Sequence, residues 1–327
     1  MENRFELSIC IPTYNRSEYL AECLNSIFDQ LDSNNKDSVE VCVSDNASED
    51  NTKDIIEKFQ KSHKNIKYFR WDKNMGADNN YLKVVEIASG NYCQLLGSDD
   101  VLLPNSINVA LEKIKEYKAG IYLLNPIQFK EQLPKDICST DTKTDLLYHS
   151  PPASNIIKEL GEYFGYISGF IFQKCLWDEF AKYKRFVGSA YSLLYIYYEI
   201  IKKGVKLVRI SRPMIGYRVD NDSFLLGYDY FKRIKLDISC YNDIAAYVFG
   251  KKSKEFKQVN AAVCKNHVIW HLRKAINIYE GNISFCIKTL LLSFRYYKFQ
   301  KNFYKYVLPL LLKQFCQRSL GIRRKTS

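Results

Sequence analysis

The sequence predicts an α/β protein built on a doubly wound, mostly parallel sheet, followed by a helical C-terminal region. Two observations carry this. Over the first hundred residues, short apolar runs alternate four times with segments whose apolar residues recur at helical spacing, the pattern of strands joined by crossover helices. From residue 226 onward the strand-like runs stop and only helical periodicity remains. The expected division is therefore residues 1–225 and 226–327.

Leu7 to Ile11 reads as a buried strand that ends at Pro12, Thr13, Tyr14, Asn15 and Arg16. Tyr19, Leu20, Cys23, Leu24, Ile27 and Phe28 then recur on one helix face. Val39 to Val43 forms a second strand closing at Ser44, Asp45 and Asn46, with a helix after it through Ile55, Ile56 and Phe59. Ile66 to Trp71 is a weaker third strand, before a turn rich in glycine and asparagine (Asn74, Gly76, Asn79, Asn80) and a helix through Leu82 and Val85. The fourth run, Tyr92 to Leu96, is stopped by Gly97, Ser98, Asp99 and Asp100. Ligands of such sheets bind beyond the C-terminal strand ends. All these polar segments fall on that edge.

Two carboxylates at the end of a core strand suit a hard divalent cation, Mg²⁺ or Mn²⁺, which can neutralise a diphosphate. GxGxxG and GxxxxGK[ST] are both absent, which argues against dehydrogenases, P-loop ATPases and nucleotidyltransferases. Each motif residue also has a plainer role open to it: Pro12 ends a strand, Asp45 and Ser48 cap a helix, and Asn74 to Gly76 make a turn.

The set IPTYNR (11–16), VSDNASEDNT (43–52), NMGADNNY (74–81) and LLGSDDVLLP (95–104) resembles the nucleotide-binding half of family 2 glycosyltransferases, which have the GT-A fold. The likeness implies that Pro12, Thr13 and Tyr14 line a nucleotide pocket, with Arg16 beside them, and that Asp45 accepts a hydrogen bond from the base. It brings Asn74, Gly76, Asn79 and Asn80 to the ribose and phosphates. It sets Ser98, Asp99 and Asp100 at the metal position, with Asp99 and Asp100 as ligands and Asp100 the preferred one. The first acid of the usual motif is Gly97 here.

Ile107 to Tyr117 reads as a helix, Ile121 to Leu124 as a strand, and 130–148 as a polar excursion. GYISGFIFQKCLW (165–177) resembles the strand and turn beneath the family's acceptor cleft, and residues 186–204 form an apolar helix closed by Gly204. Many inverting members carry a Glu-Asp pair near the start of this helix, the Asp acting as general base. Tyr191, Ser192 and Leu193 stand there instead. Asp141, Asp145, Glu162 and Glu199 are the candidate replacements, none distinguished by its surroundings. Without a base, either a front-face retaining route or a non-catalytic binding or scaffold protein of GT-A type is the alternative. YRVDNDSF (217–224) places Arg218 in a polar cluster suited to diphosphate and sugar contacts, or to a structural pairing with Asp220. The same segments are similar to bacterial O-antigen glycosyltransferases of the abequosyltransferase type. A nucleotide-sugar donor and a lipid-linked glycan acceptor follow from that resemblance.

The ten cysteines form no CxxC pair, and Cys10, Cys42 and Cys93 fall inside core strands, so they read as reduced thiols of a cytoplasmic protein. His267 and His271 read as two positions on one helix face. The first apolar run is short and ends at Pro12, and no run reaches about 18 apolar residues, so neither signal peptide nor membrane span is expected. Charge is concentrated at one end: residues after Glu280 hold ten of the bases behind the net +12, and no acid. Those bases are interleaved with aromatic and aliphatic residues at helical spacing. That suits helices on the anionic inner face of a cell membrane, the alternative being helices packed on the catalytic domain with solvated bases. No nucleic-acid motif accompanies them, so nucleic acid is not expected as a partner.

Overall fold

A computed structural model describes residues 5–134, 144–148, 153–160, 163–221, 229–273 and 283–319. They fall into two compact units, residues 1–152 with 164–221, and residues 153–163 with 222–327.

The first unit is a nine-stranded mixed sheet. Its strands are β1 (Phe5–Thr13), β2 (Val39–Asp45), β3 (Ile66–Arg70), β4 (Gly90–Leu95), β5 (Val101–Leu102), β6 (Ile121–Phe129), β7 (Leu146–Tyr148), β8 (Phe170–Gln173) and β9 (Leu207–Arg218). The order is β3-β2-β1-β4-β8-β6-β9-β5, with β7 pairing β9. β1 is parallel to both β2 and β4, so the chain reverses its direction of travel across the sheet between these strands. That switch opens a crevice at the C-terminal ends of β1 and β4. Register brings the polar ends together, with Thr13 opposite Asp45 and Asp45 opposite Arg70.

Leu7, Ile9, Ile11, Val39, Val41 and Val43 point to one face and are fully buried under α1 (Ser17–Phe28), α2 (Thr52–Ser62) and α4 (Ser106–Tyr117). Alternation along the strands turns Cys10, Cys42 and Cys93 to the other face, also fully buried. There α3 (Ala77–Glu86), α6 (Lys174–Ala181) and α7 (Ser192–Lys202) pack on one another. The Tyr197 ring lies 4.7 Å from Phe170 and 5.8 Å from Trp177. The described cysteines are free thiols, and burial pushes the Cys10 thiol well up.

Three expectations change. The segment 130–148 is not all excursion, because Leu146–Tyr148 pairs with β9. The helix expected from 186 begins only at Ser192, since Phe186, Gly188 and Ala190 all take left-handed backbone angles incompatible with a helix. The segment 153–163 joins the helical unit rather than residues 1–225: Ile156 and Ile157 of α5 (Ala153–Leu160) are fully buried, and α5 packs on α9 (Lys254–Val263).

The second unit also contains α8 (Tyr230–Phe249), α10 (Ile283–Tyr297) and α11 (Leu308–Ser319), with π-helical turns at Cys264–Val268 and Phe303–Val307. No described helix is long and apolar enough to cross a membrane. Two buried polar groups fix the packing. Asn260 donates to Asn242 Oδ1 at 2.6 Å and Asn242 donates to the Tyr297 hydroxyl at 2.9 Å, linking α9, α8 and α10. Asp237 of α8 pairs with Arg233 and meets both histidines, His271 Nε2 at 2.8 Å and His267 Nδ1 at 3.5 Å. The sequence treats these histidines as a helix face without an acid. Asp237 lies too far along the chain for spacing to reveal it.

Burial lowers the His271 pKa and outweighs the attraction of Asp237. A neutral ring donating from Nε2 leaves Nδ1 as a buried lone pair, and Nδ1 has no partner among the described residues. Protonation would instead bury an unsatisfied N–H. Burial also raises the Asp237 carboxyl, but hydrogen bonds from His267 and His271 and the charge of Arg233 hold it well below its ordinary value. Both shifts are downward, so both contributions are complete at high pH. His271's is lost as pH falls from about 6.5 toward its depressed pKa, and that of Asp237 in the acid range below about 4. Thermal melting should therefore drop between neutral and mildly acid pH, and His271→Gln should flatten that slope. Asp237→Asn should cost about 3–5 kcal/mol in urea unfolding.

Candidate active site

The loops after β1, β2 and β3 are tied to one another before any ligand is considered. Asn15, in the left-handed region, donates its backbone N–H to Ser48 Oγ at 2.9 Å and accepts from the Glu49 N–H at 2.8 Å. Asn80 is buried and donates to the carbonyls of Ser44 and Thr13 while accepting from the Ser44 hydroxyl. It staples the ends of β1 and β2. Asn46 accepts from the Met75 N–H and donates to Asn74, whose Oδ1 also accepts from the Gly76 N–H. Gly76 starts α3 at φ +83°, where a side chain would be strained. Asn79 donates to the Met75 carbonyl. Of the residues expected at ribose and phosphate, Asn74, Asn79 and Asn80 thus shape the loop themselves.

Pro12 and Thr13 are buried at the end of β1, with Thr13 Oγ1 lacking a partner among the described residues, while Tyr14 is exposed. Asp45 is fully buried and its carboxylate is already engaged. Oδ1 accepts from the Ser48 N–H at 2.8 Å, and Oδ2 takes the Tyr68 hydroxyl at 2.9 Å and Arg70 Nε at 3.2 Å. A base reaching Asp45 competes with these donors.

The acidic pair has two environments. Asp99 is partly exposed: its Oδ2 meets Arg16 Nη1 at 2.5 Å and Asn221 Nδ2 at 3.0 Å. Its Oδ1 receives no hydrogen bond among the described residues. Asp100 is buried, with Oδ2 accepting from Ser168 at 2.6 Å and Tyr166 at 3.0 Å, and Oδ1 from the Arg218 backbone N–H at 3.0 Å. Burial, then the charge of Asp99, pushes its pKa up to about 7. Ser98, just before them in the chain, is buried.

Gly97 explains how both acids fit. A Cβ there would lie 3.3 Å from Asp99 Oδ1, 3.3 Å from Asp100 Oδ2 and 3.4 Å from Ser168 Oγ, so both carboxylates converge on its bare Cα. Two hard oxygen donors, one of them without a protein partner, match the ligand chemistry of Mg²⁺ or Mn²⁺. The residues present fit such an ion. Asp99 is the more accessible of the two, and Asp100, the ligand preferred from the resemblance, is the more buried.

Arg218 closes the cluster. Its Nε donates to the Asp99 carbonyl at 3.0 Å, Nη1 to the Lys130 carbonyl at 2.9 Å, and Nη2 pairs with Glu22. The guanidinium lies between Tyr19 and Phe129, 5.0 and 4.4 Å from their ring centroids. Its partner is therefore Glu22, not Asp220, which instead approaches Lys130.

Neither described candidate base joins this cluster. Asp145 accepts from the Ser211 N–H and pairs with Lys113 at the β7 edge. Glu199 sits two turns along α7, where burial raises its pKa. Asp141 and Glu162 lie outside the described residues. One acid escaped the sequence reading. Asp78, in the first turn of α3, is buried and accepts from the N–H groups of Gly188 and Ala190 at 2.7 Å each and of Ser192 at 2.9 Å. It caps α7 from another element and holds the left-handed 186–190 loop. Its place inside NMGADNNY was visible, but its role needs a contact across more than a hundred residues.

Against known proteins, the glycosyl transferase family 2 profile matches residues 8–170. The abequosyltransferase RfbV of Salmonella typhimurium is 33% identical over 75% of this chain and 76% of its own length. The chain belongs to glycosyltransferase family 2. It is thereby a nucleotide-sugar-dependent glycosyltransferase with relatives of the O-antigen type. A Campylobacter jejuni relative, GalNAc(5)-diNAcBac-PP-undecaprenol beta-1,3-glucosyltransferase, is 26% identical over 80% of this chain and 88% of its own. The fold is that of S. aureus TarS 1-349 in complex with UDP-GlcNAc, at TM-score 0.65 and 15% identity over 99% of this chain and 94% of that one. PcManGT of Pyrobaculum calidifontis shares it at TM-score 0.57 and 14% identity, over 98% and 89% of the two chains.

Removing Asp78 takes the acceptor from three N–H groups, of which that of Ser192 is buried. Asp78→Ala should destabilise the protein by roughly 2 kcal/mol or more in urea unfolding. It should also lower transfer through disorder of the 186–192 segment, with Asp78→Asn recovering part of both losses.

Proposed function

We propose that this glycosyltransferase moves a sugar from a nucleoside diphosphate donor, lying across the ends of β1, β2 and β4, to a lipid-linked oligosaccharide of bacterial surface polysaccharide, in the cytoplasm at the inner membrane face. The observation that carries it is the convergence of Asp99 and Asp100 over Gly97, beside Arg16, at the sheet's switch point. A diphosphate leaving group needs positive charge as the glycosidic bond breaks. Asp99 and Asp100 would hold Mg²⁺ or Mn²⁺, which supplies that charge as a Lewis acid when bound. The name of the Pyrobaculum protein's complex, with GDP-Man and Mn²⁺, supports the metal, and that of the Campylobacter enzyme an undecaprenol-linked acceptor.

The chain's own groups divide the work. Arg16 pairs with Asp99 Oδ2 and keeps part of its guanidinium accessible, so it would meet phosphate oxygens of the donor. Tyr14 is exposed where the nucleoside would stack. Arg218 holds the Asp99 carbonyl and the Asp100 carboxylate and is itself buried, which makes it a positioning residue. Tyr166 and Ser168 fix the rotamer of Asp100.

Donor hydrolysis should be screened across UDP-, CDP-, GDP- and dTDP-sugars with Mn²⁺ and with EDTA. Asp99→Asn and Asp100→Asn should each lower turnover by about 100-fold or more and abolish the metal dependence of nucleotide binding. The isosteric amides are preferred to alanine because Asp100 is buried among three donors. Full turnover in EDTA would overturn the metal assignment.

A further inference from the structure

The helix α10 is apolar on both sides. Its inward face carries Phe285, Cys286, Thr289, Ser293 and Tyr297, all buried. Its outward face should be polar in a helix that merely closes a domain. Instead Ile283, Ile287, Leu291 and Phe294 are all exposed, Leu291 at 66%, at spacings of i, i+4, i+8 and i+11. At 3.6 residues per turn these four occupy about 80° of the helix surface. Ser284, Lys288 and Arg295 border the stripe on one side, all exposed. Just beyond the helix, Phe299 is 89% exposed between Lys298 and Lys301.

Charge identifies what this face meets. The six bases from Lys288 to Lys313 are all exposed, none is in an ion pair among the described residues, and the segment contains no acid. A second copy of the same face would bring bases against bases. Nucleic acid would match the charge, but Ile283, Ile287 and Leu291 offer no ring for a base to stack on. An anionic bilayer satisfies both features: aliphatic and aromatic side chains enter the acyl boundary while the bordering bases stay among lipid headgroups.

We propose that the outward face of α10, with Phe299, is a membrane-docking surface for anionic phospholipid. It lies parallel to the bilayer rather than crossing it. This deepens the reading of a lipid-linked acceptor, since a transferase held at the interface meets a polyprenyl-linked glycan by diffusion in two dimensions. Its evidence is the helix face alone.

The test uses the full-length protein and vesicles of phosphatidylcholine with or without phosphatidylglycerol, with neither donor nor acceptor present. Wild type should sediment with the anionic vesicles and partly release as salt rises, because surface attraction is screened over about 10 Å at 0.1 M. The double variant Ile287→Ser/Leu291→Ser should bind about tenfold more weakly or worse at constant salt. Both side chains are exposed, so its melting temperature should match wild type. In Phe299→Trp, brominated lipid should quench the added fluorescence. No vesicle binding, equal binding by the double variant, or an unquenched Trp would each overturn the proposal. A dimer in sedimentation equilibrium that the double variant dissolves would also overturn it and make the face a self-interface. Donor hydrolysis by the double variant should equal wild type. Its loss in every protein would count against the transferase reading and not against docking.

Discussion

Burying a carboxylate at the end of a core strand is unfavourable unless donors surround it, and in this protein the donors come from β9 and from the segment 166–168. Arg218 gives its backbone N–H to Asp100, its Nε to the Asp99 carbonyl and its Nη2 to Glu22, while its plane lies between Tyr19 and Phe129. One side chain thereby joins β9, α1, the end of β6 and the acidic turn after β4. Tyr166 and Ser168 complete the shell on Asp100. Among the described residues the cluster leaves Asp99 Oδ1 without a hydrogen-bond partner, close to the bare Cα of Gly97.

The same economy appears at the other loops. Asp45, Asn74 and Asn80 are polar groups at the active edge whose hydrogen-bonding capacity is used largely within the protein. They set the shape of this edge through the backbone, and the side chains of Tyr14, Arg16 and Asp99 are left more accessible there. A site prepared in this way loses less conformational entropy when the donor binds.

Asp78 extends the principle across the sheet. A helix whose first N–H groups lack a cap is incompletely satisfied, and α7 has no side-chain cap of its own. The carboxylate of α3 supplies it and in doing so fixes a loop with three residues of positive φ, Phe186, Gly188 and Ala190. The position where many relatives carry their acids is thus held by an acid from elsewhere in the chain.

By itself, the sequence determined the alternation of strands and helices, because buried parallel strands must be continuous apolar runs and their crossover helices must be amphipathic. It also determined which edge carries chemistry, since motif residues follow each strand and a doubly wound sheet exposes those ends together. The basic, acid-free tail was equally plain, charge being a property of composition. Only the tertiary structure decided which polar residues at that edge are engaged within the fold and which are left accessible. Asp45 and Asn80 look like binding residues in a motif, yet their partners Tyr68, Arg70 and Ser44 are supplied by neighbouring strands. Asp78 with α7, Asp237 with His271, and the outward stripe of α10 likewise depend on what lies opposite. Periodicity records that a helix has an apolar face, but a helix with two such faces reads the same until packing covers one and leaves the other in water.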